Sequence, residues 1–165
     1  MNTLPRIVIE SLSIEALDMR PAQAAIRAKY GSGYHVNTDC LNEIAALWGI
    51  EPHHDCINDS GVFIACTRID HRAGRCRAEV RYARSPSGLW AMDTSYMTAT
   101  SGAGSAPSVW NRLAFLCEAD ARSAGLRELI ERFRGIEAQG GTVATDARKL
   151  IGLLEAERTL QLSLF

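Results

Sequence analysis

Residues 61–98, GVFIACTRIDHRAGRCRAEVRYARSPSGLWAMDTSYMT, decide the reading of the fold. The stretch 61–69, GVFIACTRI, is apolar on both faces, which suits a central strand. Residues 75–83 alternate. Cys76, Ala78, Val80 and Tyr82 point one way and Arg75, Arg77, Glu79 and Arg81 the other, as a half-buried strand requires. Ser85-Pro86-Ser87-Gly88 is a turn, and 89–98, LWAMDTSYMT, is a third strand. Three neighbouring strands joined by short links predict an antiparallel meander.

Working outward, PRIVIE at 5–10 reads as a short strand and Ser13–Met19 as a helical turn. Pro21 opens a helix through Tyr30, stopped by Gly31 and Gly33. Thr38 or Asp39 caps a helix over Cys40–Trp48, with Leu41, Ile44, Ala45 and Trp48 on one face, and 51–61 is a polar loop. The Gly/Ser/Ala/Pro run at 101–108 is another loop. Val109–Phe115 fits either a fourth strand or the start of a helix. Leu126, Leu129, Ile130 and Phe133 give helical spacing from Glu118, Gly140-Gly141 breaks the chain, and Thr145–Thr159 forms a last helix. The predicted class is α+β: an antiparallel sheet of three to four strands packed on one face by helices, with a C-terminal helix and a short extended tail. The predicted division is a globular part over 1–142, a helix over 143–160 and a tail over 161–165.

The bulk properties agree with one soluble domain. The chain has 165 residues, 47% apolar and 22% charged, enough for a core of useful size. A net charge of −1 supplies no global field for nucleic acid. Five cysteines, Cys40, Cys56, Cys66, Cys76 and Cys117, are odd in number and widely spaced, with no Cys-x-x-Cys. The start, MNTLPRIVIES, has no secretory pattern, and no stretch approaches the roughly 20 apolar residues that span a bilayer. Free thiols in the cytoplasm and no membrane partner are the expectation.

The last five residues carry the most functional information. Gln161-Leu162-Ser163-Leu164-Phe165 resembles, at all five positions, the pentapeptide with which many bacterial proteins dock on the DNA polymerase sliding clamp. Leu162, Leu164 and Phe165 are each worth about 1.5–3 kcal/mol when fully buried. Gln161 carries a donor and an acceptor on one amide and can set register. A short extended peptide with a few anchors is a standard recognition mode. The resemblance implies that the two leucines and the aromatic enter an apolar cleft of the clamp, that Gln161 takes a second subsite, and that Ser163 is permissive. The competing reading lets Leu162 and Phe165 extend the apolar stripe Ala147, Leu150, Ile151, Leu154 and Leu160 and pack on the parent domain. That reading explains the leucines but not the glutamine or the phenylalanine. The resemblance covers five residues and names a partner, not an activity.

Arg75, Arg77 and Arg81, joined by Arg68, Arg72 and Arg84, form a candidate nucleic-acid face, since guanidinium groups on a strand pair can follow phosphates. The alternative for them is a solvated sheet face that keeps an edge soluble. Cys40, His53, His54 and Cys56, followed by Cys66, His71 and Cys76, lack the paired knuckles of a zinc site, so no metal is expected. Cys56 with His53, His54 and Asp55 holds the ingredients of a nucleophile, and Asp55, Asp59, Asp70 and Glu79 are carboxylates without distinctive spacing. Trp48, Trp90 and Trp110 read as structural anchors. No phosphate loop or nucleophile elbow occurs. The sequence therefore reads as a non-enzymatic interaction protein without a cofactor. It docks on the sliding clamp as a replication or repair accessory, or as a clamp competitor encoded by a phage or mobile element. The alternative is a nucleic-acid-binding module using the arginine face. The sequence does not give an oligomeric state.

Overall fold

The computed structural model describes residues 4–9, 14–52 and 55–162, and of Gln161 and Leu162 the backbone alone. Its centre is the expected meander. Strands β3 (Thr67–Ala73), β4 (Cys76–Arg84) and β5 (Trp90–Met97) pair in antiparallel fashion, with Val80 opposite Ile69 on one side and Thr94 on the other. Alternation gives this sheet two chemically distinct faces. Cys76, Ala78, Val80 and Tyr82 join one core, while Arg77, Glu79 and Arg81 lie opposite.

The sheet is wider than the three or four strands predicted. Among the described residues it has seven strands, in the order β1-β2-β7-β5-β4-β3, with β6 also on β5. β1 is Arg6–Ile9, β2 is Ile14–Asp18, β6 is Gly102–Gly104 and β7 is Leu113–Phe115. Of the segment read as a helical turn at 13–19, Ile14–Asp18 is thus a strand. It pairs with β1 from Arg6 opposite Leu17 to Ile9 opposite Ile14, which buries Ile14 and Ala16. Five residues are too few for helical periodicity to outweigh a neighbouring strand. The loop at 101–108 contains β6, whose glycines let its backbone lie against β5. A Cβ on Gly104 would fall 2.1 Å from Ser95 Oγ. Val109–Phe115 resolves as a short strand, β7.

The apolar run 61–69 is not a central strand. β3 begins at Thr67 and forms the sheet edge, while Gly61 turns the chain at φ +79° and Phe63 leaves for a second core. Only Gly61 and Phe63 of this run are buried, and Ile64 is 64% exposed, so an apolar run alone does not tell a central strand from a loop with one anchor in the core.

Two helical layers cover the sheet. α3 (Glu118–Ala138) and α4 (Thr142–Leu162) pack on the first face, where Leu126, Leu129, Ile130, Phe133, Leu150 and Leu154 are buried. Gly125 brings α3 down onto Val80 and Met92. The smaller layer, α1 (Arg20–Tyr30), a 3-10 segment (Gly31–Val36) and α2 (Thr38–Ala46), covers one end of the other face, above Ala83, Ala91 and Ala114. Helices on one face only was the expectation. The second layer is held by buried polar contacts: Gln23 Nε2 donates to the Val109 and Asn111 carbonyls at 3.1 and 2.9 Å, and Trp48 Nε1 to Val109 O at 2.9 Å. Asn37, rather than Thr38 or Asp39, caps α2 by accepting from Cys40 N at 2.9 Å. All five cysteines are free. No helix among the described residues is long and apolar enough to cross a membrane.

Candidate functional site

Two regions carry the residues singled out from the sequence. The first is the C-terminal pentapeptide. Helix α4 runs through Leu162, so Gln161 and Leu162 belong to its last turn rather than to an extended tail. No glycine or proline stands between Leu154 and Leu162 to stop the helix. Ser163, Leu164 and Phe165 lie outside the described residues. The buried stripe of α4 comprises Ala147, Leu150, Ile151 and Leu154. Beyond it Glu157 still touches the body, accepting from Arg122 and lying 3.3 Å from His71 Nε2. Leu160 is 63% exposed.

The second region is the sheet face left open by α1 and α2. Strand register builds it as three rows. Arg68, Arg81 and Asp93 form one row, Asp70, Glu79 and Ser95 the next, and Arg72, Arg77 and Met97 the third. Arginines directly opposite one another repel, so the acidic row between them is what makes the arrangement tolerable. Arg77 donates through Nε and Nη2 to Asp70 at 3.0 and 2.5 Å, and through Nη2 to Glu79 at 3.2 Å. Arg81 Nε donates to the other Glu79 oxygen. Hydrogen bonding to Arg77 holds the Asp70 carboxyl below the usual carboxylate range, with Arg72 and Arg68 adding to it. The bond to Asp70 pushes the Arg77 guanidinium up, and the bond to Glu79 pushes the Arg81 guanidinium up.

Of the six arginines grouped by sequence, Arg68, Arg72, Arg77 and Arg81 share this face. Arg75 is in the β3–β4 turn, its backbone N–H donating to Asp146 Oδ2 at 3.1 Å. Arg84 ends β4 opposite Trp90, and alternation sends it to the α3/α4 side. The four arginines are nearly balanced by Asp70, Glu79 and Asp93. Arg68 and Arg72 are exposed on the edge strand.

Beside the arginine rows lies a recess of about 740 Å³, floored by Arg77, Glu79, Arg81 and Ser95 and walled by residues 98–106. Sequence reading missed it, because its wall is the Gly/Ser/Ala stretch at 101–108, which carries no chemical signature of its own.

The remaining candidates separate in space. Cys40 and Cys76 are buried in different cores. Among the described residues no three His, Cys, Asp or Glu side chains gather as a metal site, and His53 and His54 lie outside those residues. Trp48 is buried against Phe63, and Trp110 Nε1 donates to Ser60 O at 3.0 Å. Compared with protein-family models, with curated proteins and with solved structures, the chain matches none.

Proposed function

We propose that this protein docks on a bacterial sliding clamp through Gln161-Leu162-Ser163-Leu164-Phe165, and acts at replication or repair sites as an accessory factor or as a competitor for the clamp cleft. The observation that carries the reading is the match of Gln161-Leu162-Ser163-Leu164-Phe165 to the clamp-binding pentapeptide at all five positions. The competing reading, in which the pentapeptide prolongs the packed stripe of α4, needs that stripe to continue past Leu154. Leu154 is the last buried apolar side chain among the described residues, Glu157 and Arg158 on the same face are half-buried, and Leu160, on the opposite face, is 63% exposed. A rise of about 1.5 Å per residue puts the pentapeptide roughly 10 Å or more along the helix from Leu154. Docking as an extended peptide unwinds the last helical turn, which holds Gln161 and Leu162. Helix termini open at little cost, so the penalty is small beside the burial of three large apolar groups.

The test is binding to a bacterial sliding clamp by calorimetry or surface plasmon resonance. The full chain is compared with a form truncated after Leu160 and with the double variant Leu164→Ala, Phe165→Ala. The reading expects binding by the full chain and its loss in both variants. Equal binding by all three would refute it, as would no binding by the full chain.

A second reading, contact with nucleic acid through the sheet face, has the exposed Arg68 and Arg72 as its support. It expects duplex or single-stranded DNA to bind at low salt, with affinity falling steeply as salt rises. A complex insensitive to charge reversal at Arg68 and Arg72 would remove that support.

A further inference from the structure

The recess on the open sheet face has features the clamp reading does not use. Its volume of about 740 Å³ lies within the roughly 300–1,000 Å³ typical of small-molecule sites. Glu79, on its floor, is only 4% exposed. Both its carboxylate oxygens are taken, Oε1 by Arg81 Nε and Oε2 by Arg77 Nη2. Glu79 therefore serves to hold two guanidiniums rather than to receive a ligand. Arg77 is further fixed by its paired bonds to Asp70.

What these bonds leave free is specific. Among the described residues, Arg81 Nη1 and Nη2 and Arg77 Nη1 have no hydrogen-bond partner. The Nη1/Nη2 edge of Arg81 is a planar fork that matches two oxygens of a carboxylate or phosphate. Its orientation is set before any ligand arrives, which lowers the ordering cost of binding. The rest of the recess mixes apolar groups, among them Met97, Ala99 and Ala106, with the hydroxyls of Ser95, Thr100 and Ser105. Such a lining suits a small body attached to the anion.

We infer that the recess binds a compact small molecule bearing one oxyanion, a carboxylate or a phosphate ester, with its charge on Arg81 and Arg77 and a short apolar or hydroxylated body against residues 98–106. A polyanion is a poorer occupant. The face is nearly charge-balanced, and a wall bounds the recess on the β6 side, where a continuous backbone would have to pass. The inference is independent of the clamp reading.

The test follows the arginine Nε–Hε resonances of the isotopically labelled full chain by NMR. Added in turn are inorganic phosphate, phenyl phosphate, benzoate, neutral benzyl alcohol and a short single-stranded oligonucleotide. A saturable shift of the Arg81 resonance is expected with phenyl phosphate or benzoate, at concentrations about tenfold below those needed for inorganic phosphate, and none with benzyl alcohol. The tighter of the two arms identifies the oxyanion. Arg81→Gln should abolish the response at the Arg77 resonance. Arg81→Lys, which keeps the charge and loses the fork, should weaken it with the melting temperature retained. Absence of a saturable shift with any anion up to about ten millimolar would overturn the inference. So would an unchanged response in folded Arg81→Lys, or a shift given only by the oligonucleotide, which would assign the face to nucleic acid.

Discussion

Replacing Gly125 by alanine tests the contact that seats α3 on the sheet. A Cβ there would lie 2.5 Å from Val80 Cγ1, 3.2 Å from Val80 Cγ2 and 3.0 Å from Met92 Sδ. Carbon atoms in contact prefer about 3.5–4.0 Å, so α3 must lift by roughly 1 Å or Val80 must leave its rotamer. Val80 is fully buried between Ile69 and Thr94 and has little room to turn. Overpacking of this kind costs about 1–3 kcal/mol, against a gain of about 1 kcal/mol from alanine's helix propensity. The expected net effect is a loss of about 0–2 kcal/mol, or up to roughly 8 °C in Tm for a chain of this size. Gly135 and Gly152 are internal controls. Both are helical and exposed, with nothing within 4 Å of an added Cβ, so Gly135→Ala and Gly152→Ala should each stabilise by about 0.5–1 kcal/mol. Urea unfolding of the three variants, with slopes compared to the parent, makes the measurement. If Gly125→Ala were as stable as Gly135→Ala, the close seating of α3 on Val80 would be wrong, and with it the platform that carries α4.

Acid should destabilise the fold through carboxylates held in their charged form. Asp18, bonded by Arg20, Asp70 by Arg77, and Glu43 by Lys29 and Tyr30 all have lowered pKa values. Their stabilisation is present above the unfolded carboxylate range and is lost as pH falls through the lowered values. A Tm series from pH 7 downward should therefore decline below about pH 4, and Asp70→Asn should remove part of that decline while lowering Tm at neutral pH. Tyr30, whose hydroxyl donates to Glu43 Oε1 at 2.6 Å, is pushed up to about 12 by that bond first and by desolvation second. Its contribution is complete below the unfolded tyrosine value of about 10 and fades as pH rises toward 12. Burial also pushes the Tyr82 hydroxyl up, so ultraviolet titration should show late-ionising tyrosines whose number falls by one in Tyr30→Phe. Asn37→Ala should cost about 1 kcal/mol by removing the α2 cap, and an unchanged urea midpoint would show that the Cys40 N–H finds another acceptor.

The meander, both long C-terminal helices and α1 were legible because each has a period long enough to count: alternation through 75–83, helical spacing from Glu118 and from Thr145, and a proline-to-glycine frame from Pro21 to Gly31. The short strands β2, β6 and β7 were not legible in the same way. Strands of three to five residues take their conformation from the partner they hydrogen-bond, and Ala16 opposite Phe115 is a pairing across about a hundred residues. The arginines of the open face were visible as a cluster, yet their meaning depended on register. Placing Arg68 beside Arg81, Asp70 beside Glu79 and Arg72 beside Arg77 turns a basic run into a charge-balanced grid.

By itself the sequence determined the α+β class, the central meander, the two packed C-terminal helices and the pentapeptide, because local periodicity and a contiguous motif need no knowledge of distant neighbours. Only the tertiary structure decided the seven-strand width, the second helical layer and the pairing of the arginines with Asp70 and Glu79. It alone also showed the recess above them. These are consequences of long-range strand pairing, whose hydrogen bonds and burial are shared between segments that carry no mark of one another in the chain.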